Sequence, residues 1–332
     1  MKAAACMGIK NIKLVDIDKP EPKDDGVLIE VKACGICGSD LHVYNSDLLT
    51  EDSTKTIGDH RIIGHEFCGE IVETGKNVTS FRVGDRVASV HNKGGMAEYV
   101  EIPGDRLKSL YKLPEDLSYI TAATLEPLCN PMHSYHLREP KNDETVAIFG
   151  SGAIGLGYLQ IVKSYTNAKT IIVDVSNLRL NIAQKFGADI AINARDEDAV
   201  KKIKEISGEH YVRYQDRTAG GCDIAIDCAG LALTFIQTME VLKPEGGTAI
   251  IASVYEEHAS IDPNIVMLKY LSMYGSMGYY PNETEEALTL IARDPEKRNL
   301  LISHMLPLSN VAEGFALQSD PERSVKVIIT ME

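Results

Sequence analysis

The segment that most restricts what this chain can fold into is Gly150-Ser151-Gly152-Ala153-Ile154-Gly155. An apolar run over 145–149 (TVAIF) leads into it, and an apolar helix is expected from 153 to 165. In a strand–turn–helix of this kind Gly150 permits the tight turn, and Gly152 lets the backbone approach a pyrophosphate. Gly155 lets the helix pack close to the strand, and the N–H groups of the first helical turn face the anion. Gly150, Gly152, Ala153, Ile154 and Gly155 are therefore candidate cofactor contacts. The next apolar run ends at Asp174, and 174 − 150 = 24 residues, near the spacing of about 20 at which an acid meets the cofactor ribose. A carboxylate there accepts from a ribose 2′-hydroxyl and repels a 2′-phosphate, which favours NAD over NADP. A glycine-rich turn can also simply pack a helix. The strand before, the helix after and the acid at the right distance together argue for a binding site.

The rest of the chain extends this unit. Strands are expected at 145–149, 170–174, 190–193, 222–227 and 248–253, with helices near 153–165, 177–186, 196–207 and 231–242 between them. Strands alternating with helices imply βαβ units and a parallel sheet. Residues 1–140 read differently. Short Val- and Ile-rich runs at 27–33, 67–74, 86–90 and 97–102 are punctuated by glycines, the pattern of a β-rich domain. One helix is expected over 118–137, with Ser118 as its N-cap. A further helix at 283–293 and a strand at 325–330 close the chain.

Composition narrows the function classes. With 332 residues, 44% apolar and 25% charged, the chain has room for two ordinary globular domains. A net charge of −14, with no compact run of Lys or Arg, argues against nucleic acid as a partner. No apolar stretch is long enough to cross a bilayer, so no membrane partner is expected. Lys10 and Lys13 interrupt the small-residue run at the start before a signal-peptide core can form. Seven scattered cysteines suit a reduced, cytoplasmic setting better than a disulfide framework.

A second constellation lies in the β-rich part. Cys34-Gly-Ile-Cys37-Gly-Ser39-Asp40-Leu-His42 is followed, 28 residues after Cys37, by His65-Glu66, and Glu126 opens the EPLCNP segment. Thiolate, imidazole and carboxylate form the ligand set of a catalytic zinc. Cys34 and Cys37 alone could also be half of a four-cysteine zinc site or a redox pair. The chain has no second C-x-x-C, and the surrounding β-rich pattern is not that of a redox motif.

Taken together, CGICGSDLH (34–42), IIGHEFCGEIVETG (62–75), VGDRV (83–87), GGMAEYV (94–100), EPLCNPMHSY (126–135), GSGAIG (150–155) and VDVSNLRLNIAQKFGAD (173–189) resemble the zinc-dependent medium-chain dehydrogenases, nearest the sorbitol/threonine/butanediol branch. The resemblance implies an α/β molecule: a Rossmann-type doubly wound parallel sheet plus a β-rich GroES-like catalytic domain. The boundaries expected are 1–142 with 281–332 for the catalytic domain and 143–280 for the dinucleotide domain. It implies Cys37, His65 and Glu66 as zinc ligands, with Glu126 binding directly or through water. It implies Asp40 as the group that orients His65, Ser39 and His42 as a proton relay, and Arg179 beside Asp174 at the adenosine ribose. It further implies one catalytic Zn2+ per chain, NAD, a small secondary alcohol or polyol as substrate, bound between the domains, and a homodimer or homotetramer.

Two departures from the family pattern matter. Only residues 87–93 separate Arg86 from Gly94, where relatives insert a lobe carrying four cysteines and a structural zinc, so that second zinc is not expected. Polyol-oxidising members often carry an Arg-Tyr pair where this chain reads GSMGYY (275–280), with Gly278 at the Arg position, which counts against sorbitol itself. Competing readings are a zinc-free quinone- or enoyl-type reductase on the same fold and a non-catalytic dinucleotide-binding protein. Ser39, Tyr44 and Glu126 are expected to give the metal pocket polar walls. His91 lies in the shortened 87–93 loop. Cys34 is expected to pack near the site without binding metal. The acid-rich segments near 51 and 196 are expected to be solvated faces, and the Arg213/Arg217 segment is expected to be a surface loop rather than a phosphate contact.

Overall fold

The computed structural model describes residues 1–46, 54–213 and 218–331. The acid-rich segment near 51 and Arg217 lie outside the described residues. The chain divides into two compact units, one of Met1–Pro127 with Thr284–Glu332, the other of Leu128–Glu283.

Among the described residues, the first unit is built on a seven-stranded sheet. Its strands run in the order Ile302–Pro307, Lys326–Thr330, Val27–Gly35, Glu66–Thr74, Arg86–Ser89 and Leu110–Lys112, with Tyr99–Ile102 also pairing to Val27–Gly35. Alternation makes the central strand two-sided: Val27, Ile29 and Val31 enter a core with Phe67, Ile71, Val100, Phe315 and Ile329. A four-stranded sheet (Ile12–Asp16, Lys2–Cys6, His60–Ile62, Lys55–Ile57) packs Ala3, Ala5, Ile62 and Ala97 into a smaller cluster.

Among the described residues, the second unit carries a six-stranded, all-parallel sheet in the order Ile190–Asn193, Lys169–Asp174, Thr145–Phe149, Ile224–Asp227, Thr248–Ile251, Ser272–Gly275. This is the doubly wound arrangement expected from the βαβ rhythm. The helices at Ala153–Tyr165 and Asn177–Phe186 fall where the sequence placed them. Ser176 caps the second through its side chain, and Gly187 closes it in the left-handed region at φ 102°. Ser272–Gly275, not foreseen in the sequence, adds an exposed edge strand by pairing with Thr248–Ile251.

The single helix expected over 118–137 is instead two, Tyr119–Ala122 and Glu126–Leu137. Ser118 does cap the first, its hydroxyl accepting from the Thr121 N–H at 3.1 Å. The break has a covalent cause: Pro127 has no N–H to continue the ladder, and proline suits the first turn of a new helix. From Leu128 onward this second helix groups with the second unit, where the sequence reading drew the boundary after 142. Its packing explains why: a methyl group at Gly157 would lie 2.9 Å from Pro131 Cγ and 3.3 Å from Leu128 Cδ1.

Candidate metal centre and dinucleotide site

The metal-binding candidates are gathered by one strand pair. Val27–Gly35 runs antiparallel to Glu66–Thr74, with Gly35 opposite Glu66. Cys37 follows Gly35 by two residues, and His65 immediately precedes Glu66, so the register brings all three to one end of the ladder. One ligand atom from each of Cys37, His65 and Glu66 lies within 4.8 Å of the others. Glu66 is fully seated: a methyl group at Gly35 would fall 2.1 Å from its Oε2.

The surroundings favour positive charge. Asp40, buried in the first turn of the helix Gly38–Ser46, accepts from the Cys37 N–H at 2.9 Å through Oδ2. Its Oδ1 has no hydrogen-bond partner and stands 3.6 Å from His65 Nδ1, an ion-pair separation longer than a hydrogen bond. Burial alone depresses the His65 imidazolium, but the negative charges of Cys37 and Asp40 beside it outweigh that and hold the pKa well above its usual value. A sulfur, a nitrogen and an oxygen donor converge where a cation is stabilised, and an unsatisfied buried carboxylate oxygen stands behind the imidazole. This donor set fits zinc.

Lys326, which the sequence reading missed, completes the site. Its Nζ lies 2.8 Å from both Glu66 carboxylate oxygens and donates to the Ile36 carbonyl at 2.9 Å. Both side chains of the pair are buried. Burial lowers the Lys326 pKa, but Glu66 and Cys37 raise it further, and Glu126 adds to the pull. A carboxylate has about four acceptor positions, so Glu66 can serve Lys326 and a metal together. The signal available in the sequence was a lone lysine in the apolar run VKVII.

Glu126 begins the helix Glu126–Leu137 and is not one of the three clustered residues. Ser39 and His42 share the helix Gly38–Ser46, three residues apart and so on neighbouring turns. Cys34 is fully buried, with its thiol pushed well above its usual pKa by burial and by Asp40 and Glu66, and it stands apart from the cluster. Tyr44 lays its ring against Phe315, 5.2 Å between centroids, in the core of the first unit. His91 takes φ 61° and its carbonyl accepts from Arg106 Nη1 at 3.1 Å. Burial, Arg106 and His65 lower its pKa, which puts the shortened loop within electrostatic reach of the metal candidates.

In the second unit the turn 150–155 has the form its glycines require. Gly150 takes φ 96°, and a methyl group at Gly155 would lie 1.9 Å from the Gly150 carbonyl oxygen. Gly152 is the N-cap of the helix Ala153–Tyr165, leaving Ala153 and Ile154 in its first turn. Asp174 closes its strand beside this turn. Its Oδ2 accepts from the Ser151 N–H at 2.6 Å, and its Oδ1 from the Val175 and Ser176 N–H groups at 2.8 and 2.9 Å. The carboxylate is thereby fixed in direction. Arg179 also borders the turn, with Nη1 3.8 Å from where a Gly152 Cβ would be. No helix among the described residues is long and apolar enough to cross a membrane.

Comparison with known proteins agrees with this geometry. Residues 23–115 match the alcohol dehydrogenase GroES-like domain, and residues 153–293 match the zinc-binding dehydrogenase model. The chain is 29% identical to (R,R)-butanediol dehydrogenase of Bacillus subtilis over 99% of both chains. It is 28% identical to L-threonine 3-dehydrogenase of Shewanella putrefaciens over 97% of both. The crystal structure of the 2R,3R-butanediol dehydrogenase from Bacillus subtilis superposes with a TM-score of 0.85 at 28% identity, covering 99% of each chain. With a GroES-like β domain, a doubly wound parallel sheet and matching models over both, the chain belongs to the zinc-type medium-chain dehydrogenase family, in the sorbitol/threonine/butanediol dehydrogenase-like branch.

Proposed function

We propose that this chain is an NAD-linked, zinc-dependent dehydrogenase that interconverts a secondary alcohol or polyol and the matching ketone. The observation that carries this reading is the convergence of Cys37, His65 and Glu66 within 4.8 Å. These three hold one zinc, with Glu126 as a further direct or water-mediated ligand. Zinc supplies Lewis acidity, which lowers the pKa of a bound alcohol.

The chain's own residues do the rest. Asp40 faces the imidazole of His65 and keeps its other nitrogen directed at the centre. Lys326 fixes Glu66. Ser39 takes the substrate hydroxyl proton and His42 passes it outward along the same helix face. The turn 150–155 holds the pyrophosphate, and Asp174 takes the adenosine ribose with Arg179 beside it. A bound nicotinamide would supply the hydride-transfer chemistry.

Ser39 and Glu126 give the site polar walls, which suit a substrate carrying a second hydroxyl or an amino group beside the reacting carbon. The butanediol and threonine dehydrogenases among the relatives support that class. A screen of secondary alcohols, diols and hydroxy-amino acids with NAD+ tests it. A vicinal diol or amino alcohol is expected to exceed its singly functional analogue in kcat/KM by about a hundredfold, since sites built to hydrogen-bond such a group reject analogues lacking it. Ethanol as the best substrate would contradict it.

The chain is proposed to act as a homodimer or homotetramer. Ser272–Gly275 is an edge strand exposed along its whole length, flanked by exposed Met267, Tyr270, Met277 and Tyr280. Edges of this composition are protected by pairing. Light scattering should give at least twice the chain mass.

A further inference from the structure

Beyond the glycine turn, a second cluster borders the crevice in which the parallel sheet would hold its cofactor. Asp227 is the last residue of Ile224–Asp227 and sits opposite Phe149, the last residue of Thr145–Phe149. The chain steps outward from Thr145–Phe149 to Ile190–Asn193 on one side, and from Ile224–Asp227 to Ser272–Gly275 on the other. The gap between these two strands is thus the reversal point at which open parallel sheets bind ligands.

The Asp227 carboxylate is fully buried and surrounded by donors. Oδ1 accepts from the Ala229 and Gly230 N–H groups at 2.9 and 3.3 Å. Oδ2 accepts from the Thr234 hydroxyl at 3.0 Å and the Tyr255 phenol at 2.5 Å. The Asp227 carbonyl accepts from the Ser253 hydroxyl at 3.2 Å. Phe235 steadies the Tyr255 ring edge-on, 5.8 Å between centroids at 84°. One residue therefore ties together the loop after its own strand, the start of the helix Ala232–Glu240 and the loop after Thr248–Ile251. The first of these loops abuts the phosphate turn: a methyl group at Gly150 would lie 3.0 Å from the Ala229 nitrogen. Thr234 and the two backbone donors would suffice to start the helix. Ser253 ties the second loop to the Asp227 backbone, and the Tyr255 phenol ties it to the carboxylate.

Position decides which half of the cofactor this cluster meets. Asp174 ends the strand on the opposite side of Thr145–Phe149. With the adenosine ribose at Asp174 and the pyrophosphate on the turn, the other half of the dinucleotide extends over the ends of Ile224–Asp227 and Thr248–Ile251. We propose that Asp227 and Tyr255 are positioning residues for the nicotinamide ring, their bond clasping two loops into the wall on which that ring lies. The proposal rests on the reading of 150–155 and Asp174 as the NAD site.

The test compares NADH with ADP-ribose, which shares the adenosine, the pyrophosphate and the second ribose but lacks the nicotinamide. NADH binding is followed by its fluorescence, which no tryptophan complicates in this chain, and ADP-ribose binding by calorimetry. Tyr255→Phe keeps the ring against Phe235 and removes the bond to a buried charge. NADH affinity should fall about tenfold, the scale of one charge-assisted hydrogen bond, while ADP-ribose affinity stays the same. An equal loss for both ligands, or no loss for NADH, would overturn the proposal. Wild-type protein that binds neither ligand would overturn the NAD site itself. Should Tyr255→Phe fail to fold, Asp227→Asn, which keeps the side-chain shape, gives the same comparison.

Discussion

Lys326 Nζ stands 2.8 Å from both carboxylate oxygens of Glu66, and neither side chain reaches solvent appreciably. A zinc-ligand candidate is thus anchored by a buried ammonium from a strand near the other end of the chain, 260 residues away. Removing one partner of such a pair leaves an uncompensated buried charge, which typically costs about 3–5 kcal/mol. Lys326→Met should lower the urea-unfolding free energy of the metal-free protein by that order. Adding Glu66→Gln should restore part of it, because the stranded charge is gone. A double variant no more stable than Lys326→Met would show that the charge is not the cause.

Cofactor choice follows from Asp174. Its carboxylate is oriented by the backbone of Ser151, Val175 and Ser176, so a 2′-phosphate would meet a fixed like charge. NAD+ should be strongly preferred, and Asp174→Ala should narrow the preference, chiefly through affinity. Equal kcat/KM for NAD+ and NADP+ in the unmutated protein would contradict this.

A pH-dependent contribution to stability is expected at Asp189. Burial raises its pKa, but bonds from Lys163 at 2.5 Å and from the Thr170 N–H and hydroxyl at 2.7 and 3.0 Å outweigh it, and the net pKa is lowered. A depressed carboxylate pKa means that the stability it adds is fully present above the unfolded value near 3.9 and fades as pH falls through the folded value. Asp189→Asn should therefore unfold at lower urea than wild type near neutral pH, with the gap closing below about pH 4. A gap independent of pH would rule this out.

What could be read from the sequence was what is local. The turn 150–155, Asp174 and the Cys37, His65 and Glu66 set are short motifs whose chemistry depends on spacing within one or two elements. The helices Ala153–Tyr165 and Asn177–Phe186 were legible because each follows a short apolar strand in the alternating strand–helix rhythm. Lys326 was hidden because it reaches Glu66 only through the pairing of Lys326–Thr330 with Val27–Gly35 and of that strand with Glu66–Thr74. Asp227 and Tyr255 likewise meet across a strand, a helix and two loops. Ser272–Gly275 (SMYG) shows no alternation to read, and its neighbour in the sheet makes it a strand. The helix break before Pro127 was in the sequence, but the continuous apolar pattern on either side outweighed it.

Metal content tests the central claim most directly. Cys37 lies in the ligand cluster and Cys34 does not, and only residues 87–93, none of them Cys, separate Arg86 from Gly94, which leaves no four-cysteine site there. Elemental analysis of purified protein should give one zinc per chain. Chelation should abolish turnover while leaving NADH binding intact, because the turn 150–155 belongs to the other unit. Cys37→Ser should lose the metal and the activity, and Cys34→Ser should keep both. Two zincs per chain, or a Cys34→Ser variant as metal-free as Cys37→Ser, would contradict the assignment of this site.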